Sequence, residues 1–379
     1  MKIARVRVTT INHLLAVPIL FGNWTMDHRE FALVRVDLED GTSGFSYGLT
    51  RDGPVAAIVK RSIAPCYVGC EIGDPEQLFF GALWSNHAVH AAGIGMRALS
   101  LVDLACWDAR ARFEKKSFQE LLGGELSDLP ATAIVGYPPT MSPDDLALQI
   151  TDLKSKGWNR FKIPVSPDLK LSEERLRAAR EVAPQDWIGF DLSMILRTSD
   201  AVLEFENRIK DLKLGWLEDV VPPGDARMVA KAREKSSTPI AMGDEQGGSY
   251  FPESLLVANA VDYIRLDATT NGGITGLRKN LRQAREAGVK VSPHMFPHVH
   301  SRLLPIFGFK DAPIEWGIPG TGVHPMDDGL EQPVIVDGKM KPLSSSTGFG
   351  SIVDFTWIIE QQVTDGEGAL NEIPQECLR

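Results

Sequence analysis

Cysteine is scarce in this sequence: Cys66, Cys70, Cys106 and Cys377 are the only four in a chain of 379 residues. That excludes a disulfide scaffold and suits a reducing compartment. Cys66 and Cys70 have no second Cys or His pair at zinc-site spacing, so they read as structural thiols. The chain also lacks any uninterrupted apolar run of the ~18–20 residues that a membrane span needs. Lys2, Arg5 and Arg7 precede only a short apolar stretch, broken by Asn12, His13 and Pro18 and followed by no small-residue cleavage site. No signal peptide is expected, and the protein reads as cytoplasmic. Basic excess is missing too: 40 Lys and Arg face 50 Asp and Glu, a net charge of −10. Such a balance repels phosphate backbones and anionic lipid, so neither nucleic acid nor membrane is expected as a partner. No low-complexity segment occurs, and 43% hydrophobic against 24% charged residues leaves ample apolar surface for a large core.

What is present is a change of rhythm. Lys2–Thr10 and Phe31–Asp37 alternate as strands do, the second running into a turn at Glu39-Asp40-Gly41 that joins two antiparallel strands. MRALSLVDLACWDARARF (96–113) places Leu99, Val102, Leu104 and Trp107 at helical spacing, and this segment ends near Gly123-Gly124. After Leu129 short apolar runs alternate with charged helical stretches: ATAIVGY, RFKIP, WIGFD, LGWLED, PIAMGD, YIRLD, KVSPH and PIEW. Eight βα units with near-continuous apolar strands predict a closed parallel barrel. The expected architecture is an α/β, (β/α) TIM-type barrel with an N-terminal α+β capping domain. Its divisions are 1–125 for the cap, 126–340 for the barrel, and 341–379 packing back on the cap.

The last charged residue of successive units is Lys162, Asp191, Glu218, Asp244, Asp267, His294 and Glu315, spaced 21 to 29 residues apart. Each falls at the C-terminal end of a strand, where barrel active sites are built. One such acid alone is more often a cap or turn residue. Three in consecutive units, Asp191, Glu218 and Asp244, place like charges together, and these must protonate or share a cation. An all-carboxylate set suits a hard ion such as Mg²⁺. An alternative reads His294, His298 and His300 as an HxxxHxH zinc site, but amidohydrolase-type barrels also want an HxH on the first strand, and ATAIVGY has none.

These residues resemble the enolase superfamily and, within it, the mandelate racemase subgroup. The resemblance spans nearly the whole chain and is most specific in IRLDATTNGGIT and SPHMFPHVHSRL, which look like the strand motifs supplying an Asp–His dyad. It implies metal ligation by Asp191, Glu218 and Asp244, acid/base work by His294 oriented by Asp267, carboxylate contact by Glu315, and a homo-oligomer. The chemistry of the residues agrees. An α-proton beside a carboxylate is weakly acidic, and its removal needs positive charge at the developing oxyanion, which a metal and Lys162 supply. A His whose other ring nitrogen donates to a carboxylate is locked in one tautomer and is a stronger base, which is what Asp267 would do for His294.

The sequence also departs from the subgroup. Lys-x-Lys is usual on the second barrel strand, the second Lys being a base on the other face of the substrate; here Lys162-Ile163-Pro164 puts Pro164 in that place. Ser193 follows Asp191 where Asn is common, and Glu218-Asp219-Val220 replaces Glu-Glu-Pro. With one base face, the expected reaction is dehydration of an acid sugar or related hydroxy acid, a lyase activity on a small carboxylate substrate. A racemase or epimerase using a Tyr or Cys from a loop is the second reading, and a non-catalytic binding protein the third. Specificity is expected from two loops, Phe21–Arg29 and Tyr47–Arg51, through Trp24, His28, Arg29 and Arg51.

Overall fold

A computed structural model describes residues 1–21, 24–326, 330–343 and 347–349, and the backbone alone at 20, 21, 24 and 362–363. Three antiparallel strands open the chain: β1 (Ile3–Phe21), β2 (Trp24–Leu38) and β3 (Ser43–Leu49). A turn over 39–42 joins β2 to β3, as the Glu-Asp-Gly cluster predicts. The stretch 24–29, expected as loop, is strand: the first hairpin extends to its tip, and its alternating polar and apolar residues pair with β1. On β1's outer edge β14 (Gln362–Val363) pairs antiparallel at Ile11 and Asn12. The rest of the C-terminal segment beyond Phe349, with Cys377, lies outside the described residues.

Helix α1 (Gly93–Phe113) lies across this sheet, and every residue from Gly95 to Ala109 is buried. A helix buried on all sides belongs between two layers, and its few polar residues, Arg97, Ser100, Asp103 and Asp108, need partners in them. One side meets β3 so closely that a Cβ at Gly44 would stand 2.1 Å from the Ala109 backbone nitrogen, which only glycine permits. Asp108 of α1 then accepts the Phe45 N–H at 2.9 Å.

The second layer is the barrel. Its parallel strands are β4 (Leu129–Ile134), β5 (Arg160–Pro164), β6 (Trp187–Asp191), β7 (Trp216–Glu218), β8 (Ile240–Met242), β9 (Tyr263–Leu266), β10 (Lys290–Pro293) and β11 (Ile314–Gly317). Neighbours pair in chain order from β4 to β10, and β11 returns to pair with β4. Helices fill the connections: α2 (Pro143–Ser155), α3 (Leu169–Val182), α4 (Ser199–Ile209), α5 (Ala226–Lys235), α6 (Tyr250–Val257), α7 (Gly273–Glu286) and α8 (Pro297–Ile306). Side chains of Ser142, Asp168, Thr198 and Asp225 cap the first four, satisfying N–H groups that would otherwise be orphaned at the barrel rim. Buried Leu146, Ile150 and Leu153, or Val202, Phe205 and Ile209, recur at helical spacing and face the strands.

The eighth unit differs from expectation, because among the described residues no α-helix follows β11. Its continuation GIPGTGVHPM carries two prolines and three glycines, which cannot hold a regular helix. A two-strand hairpin, β12 (Ile335–Val336) and β13 (Lys339–Met340), instead pairs antiparallel with β4.

Candidate functional site

Strand register assembles the site. Cα pairing sets Pro164 beside Asp191, and Asp191 beside Glu218, so these three share one layer at the C-terminal ends of β5, β6 and β7. Lys162, two residues earlier, reaches the same acids. Its Nζ lies 2.9 Å from Glu218 Oε1, 3.0 Å from Glu315 Oε1 and 3.4 Å from Asp191 Oδ2. Arg265 of β9 joins from the other side, 3.0 Å from Glu218 and 2.7 Å from Glu315. Two cations and three acids thus interlock inside the barrel. Burial works against the Lys162 charge, yet Glu218, Glu315 and Asp191 hold it protonated well above the usual range. Burial likewise opposes the Glu315 charge, but Arg265 and Lys162 keep its pKa lowered.

His294 follows β10. Its Nδ1 lies 3.2 Å from Asp267 Oδ2 and 3.4 Å from Asp244 Oδ2. Asp267 is fixed in turn by the Thr269 N–H at 2.7 Å, and burial raises its carboxyl pKa to about 6. Burial, with the nearby charges of Lys162, Arg265, Arg51 and Arg97, holds His294 far below the ordinary imidazole range. The ring is therefore neutral. With Nδ1–H donated to Asp267, Nε2 carries the free lone pair. The zinc alternative fails on geometry: His300 Nε2 accepts the Ala268 N–H at 3.0 Å and its Nδ1 lies 2.7 Å from Met295 O, so both ring nitrogens are used in the backbone.

At the end of β8 the two neighbouring acids diverge. Glu245 lines the cavity and pairs with Arg51 and, at 3.7 Å, Arg97; those guanidiniums lower its pKa against the effect of burial. Asp244 lies just behind, with burial raising it to about 7. Burial raises Glu218 to about 8, against the pull of Arg265 and Lys162, and puts Asp219 well above its usual value. Oxygens Glu218 Oε2, Asp219 Oδ1 and Asp244 Oδ1 are buried and have no hydrogen-bond partner among the described residues. Carboxylate oxygens in that condition call for a cation, and an all-oxygen set fits a hard divalent ion. Asp219, Met295 and Phe296 also have φ between 46° and 47°, left-handed backbone that non-glycine residues adopt at a cost.

These groups surround one cavity of about 460 Å³, the size of a small-molecule site. Of the residues predicted from sequence, Lys162, Asp191, Glu218, His294, Arg29 and Arg51 line it. Glu315 sits beneath, holding Lys162 and Arg265 and accepting the Met295 N–H at 3.2 Å, so the expected direct contact with a substrate carboxylate is not how it stands here. His28 is turned away and pairs with Asp27 at 2.6 Å and Asp52 at 3.4 Å. The Trp24 side chain lies outside the described residues. Sequence reading missed Tyr137, Arg97 and Arg265. Tyr137 ends the first barrel strand segment, ATAIVGY, as a neutral phenol where the other strands end in charge. Arg265 stands two residues before Asp267 inside an apolar strand, which period 2 places on the same side.

Residues 3–123 match the mandelate racemase/muconate lactonizing enzyme N-terminal domain, and residues 145–355 match the enolase C-terminal domain-like family. The chain belongs to the mandelate racemase subgroup of the enolase superfamily. Among its relatives, an L-rhamnonate dehydratase of Saccharopolyspora erythraea is 30% identical over 329 residues, covering 84% of this chain and 82% of the relative. A D-galactarolactone cycloisomerase of Agrobacterium fabrum is 27% identical over 307 residues, 78% of this chain and 79% of that one. A racemase from Streptomyces coelicolor A3(2), solved with bound magnesium, superposes with a TM-score of 0.84 at 22% identity, covering 96% of this chain and all of that one. An enolase from Bradyrhizobium, complexed with magnesium and mandelic acid, gives 0.81 at 24% identity, covering 96% and 99%. Those two structures share the fold. The family's enzymes, lyases and isomerases alike, place this chain among enolase-type catalysts.

Proposed function

We propose that this mandelate racemase relative is a Mg²⁺-dependent lyase that dehydrates an acid sugar or related hydroxy acid to a 2-keto acid. The observation that carries the reading is the placement of His294, hydrogen-bonded to Asp267 on the wall of a cavity it shares with Lys162, while Pro164 takes the position of an opposite base. Asp191, Glu218 and Asp244 would hold the ion. When bound, Mg²⁺ supplies positive charge that balances these acids and favours the enolate over the substrate.

His294 Nε2 takes the α-proton, and the C–H electron pair moves into the enolate. Lys162, fixed by Glu218 and Glu315, presents its ammonium to that developing charge. As the enolate collapses, the bond to the β-hydroxyl breaks and the His294 imidazolium gives its proton to the leaving oxygen, releasing water. The enol product then becomes the 2-keto acid. Asp267 holds one tautomer throughout and steadies the imidazolium. Pro164 carries no proton, so both transfers belong to one face.

In D₂O with a panel of acid sugars, His294→Asn is expected to lose both 2-keto product and α-hydrogen exchange by ~10²–10⁴-fold. Exchange at the parent rate in this variant would overturn the reading. One observation favours the second reading, epimerisation: Tyr137 lines the cavity and stands within electrostatic reach of Lys162. Burial raises its pKa, however, so the phenol is a poor base at neutral pH, and dehydration remains the better fit. A homo-oligomer belongs to the same proposal; light scattering showing a monomer at micromolar concentration would refute it.

A further inference from the structure

The capping side of the cavity is overcharged. Arg29 of β2, Arg51 beyond β3 and Arg97 of α1 all line it. Arg51 and Arg97 share one carboxylate, Glu245. Arg29 is buried, and among the described residues no carboxylate lies within ion-pair distance of it; its Nε reaches only the Gly322 carbonyl, at a long 3.5 Å. Arg29 hydrogen-bonds the Tyr137 phenol, with Arg51 and Glu245 in electrostatic reach but not in contact. Asp244 and Asp267 act on Arg51 and Arg97 from further off, but at ion-pair distance among the described residues the three guanidiniums share one carboxylate, a surplus that burial makes costly at Arg29, because a charge taken from water needs a partner of opposite sign. Burial, with the repulsion of Arg51, does lower the Arg29 pKa to about 10, which still leaves it charged at neutral pH.

A polyol end cannot settle this surplus, since hydroxyls solvate a guanidinium without neutralising it. A planar carboxylate can, through the paired N–H donors of the guanidinium fork. The same cavity is lined by Lys162 and by Asp191 and Glu218, two of the acids that would bind the cation, where a first carboxylate belongs. We infer that the substrate is a dicarboxylate whose second carboxylate is bound by Arg29, with Tyr137 donating to it. This assignment rests on the proposed function only for the position of the first carboxylate. Arg29 is thus a specificity residue, not a participant in proton transfer.

The test compares adipate, an unreactive six-carbon diacid, with its monoamide by calorimetry on the Mg²⁺-loaded protein. Adipate is expected to bind at least ~10-fold more tightly, the difference expected for one charge-assisted pair. Arg29→Gln should erase that difference, and Arg29→Lys should retain part of it. Equal binding in the parent, or a preference that survives Arg29→Gln, overturns the assignment. So does tighter binding of a hexonate 6-phosphate than of adipate, which would make the distal anion a phosphate. Should Arg29→Gln fail to fold, the parent comparison and Arg29→Lys decide. The two proposals fail separately. If α-hydrogen exchange in D₂O is as fast with monoacid as with diacid sugars, this inference falls and the dehydratase stands; an adipate preference without exchange on any acid sugar leaves the subsite and removes the dehydratase.

Discussion

Asp244 and Glu245 are neighbours in sequence with opposite circumstances. Glu245 is already neutralised by Arg51 and Arg97, whereas Asp244 has an orphaned buried oxygen and a pKa raised to about 7 by burial. A cation relieves the second and does little for the first. Titration of Mg²⁺ by calorimetry should therefore show Asp244→Asn raising Kd by ~100-fold or more and Glu245→Gln by ~10-fold or less. The reverse order would move the ligand to Glu245. At this scale the sequence was legible wherever a strand ended in charge: Lys162, Asp191, Glu218 and His294 were read from position alone. It was not legible where the contributor is neutral, as Tyr137, or where two acids follow one another and backbone direction beyond the strand decides which enters the cavity. Nor does a pattern say that Glu315 would be spent on Lys162 and Arg265.

Among the elements, α1 couples the layers. Its Asp103 accepts from the Thr275 N–H at 3.1 Å and the Thr275 hydroxyl at 2.8 Å, at the start of α7. Gly273 fits there because a Cβ would stand 2.1 Å from Asp103 Oδ2. Burial raises the Asp103 pKa from 3.8 to about 7. Between those values the folded protein keeps a proton that the unfolded chain releases, so this group's contribution to stability falls as pH rises from about 4 to 7 and is flat above. The unfolding free energy of Asp103→Asn, from urea titrations, should decline less over that interval than that of the parent, by an amount on the order of a few kcal/mol; parallel profiles would remove Asp103 from the account. Periodicity located α1 and all eight barrel strands, because apolar runs and 3.6 spacing follow directly from burial. The eighth helix was predicted by rhythm alone, and Gly320, Gly322, Pro319 and Pro325 overrule rhythm. The strand at 24–29 was missed because its apolar residues are only Trp24 and Met26, too short an alternation to stand out beside Asp27, His28 and Arg29.

For the whole molecule, sequence pattern indicated a sheet-and-helix cap over a barrel, and the site draws on both. Arg29, Arg51 and Arg97 come from the first 113 residues, and the acids and His294 from the barrel. Neither part contains the cavity alone. Composition had no means of reporting this, since it is silent on which loops face which strand ends.

The helix that joins the layers has its polar partners 172 residues further along the chain: Ser100 accepts the Gly272 N–H, and Asp103 takes Thr275. Contacts of such sequence separation close late and cost the loop entropy of everything between them. A ribosome releasing this chain delivers α1 long before anything exists to cover its far side, so the nascent cap has a core open to solvent until α7 is made. Once α7 arrives the two layers stabilise each other, and calorimetry of the finished protein should record one transition in which cap and barrel unfold together. Truncation after Phe113 should then leave an aggregating fragment in place of a small folded domain.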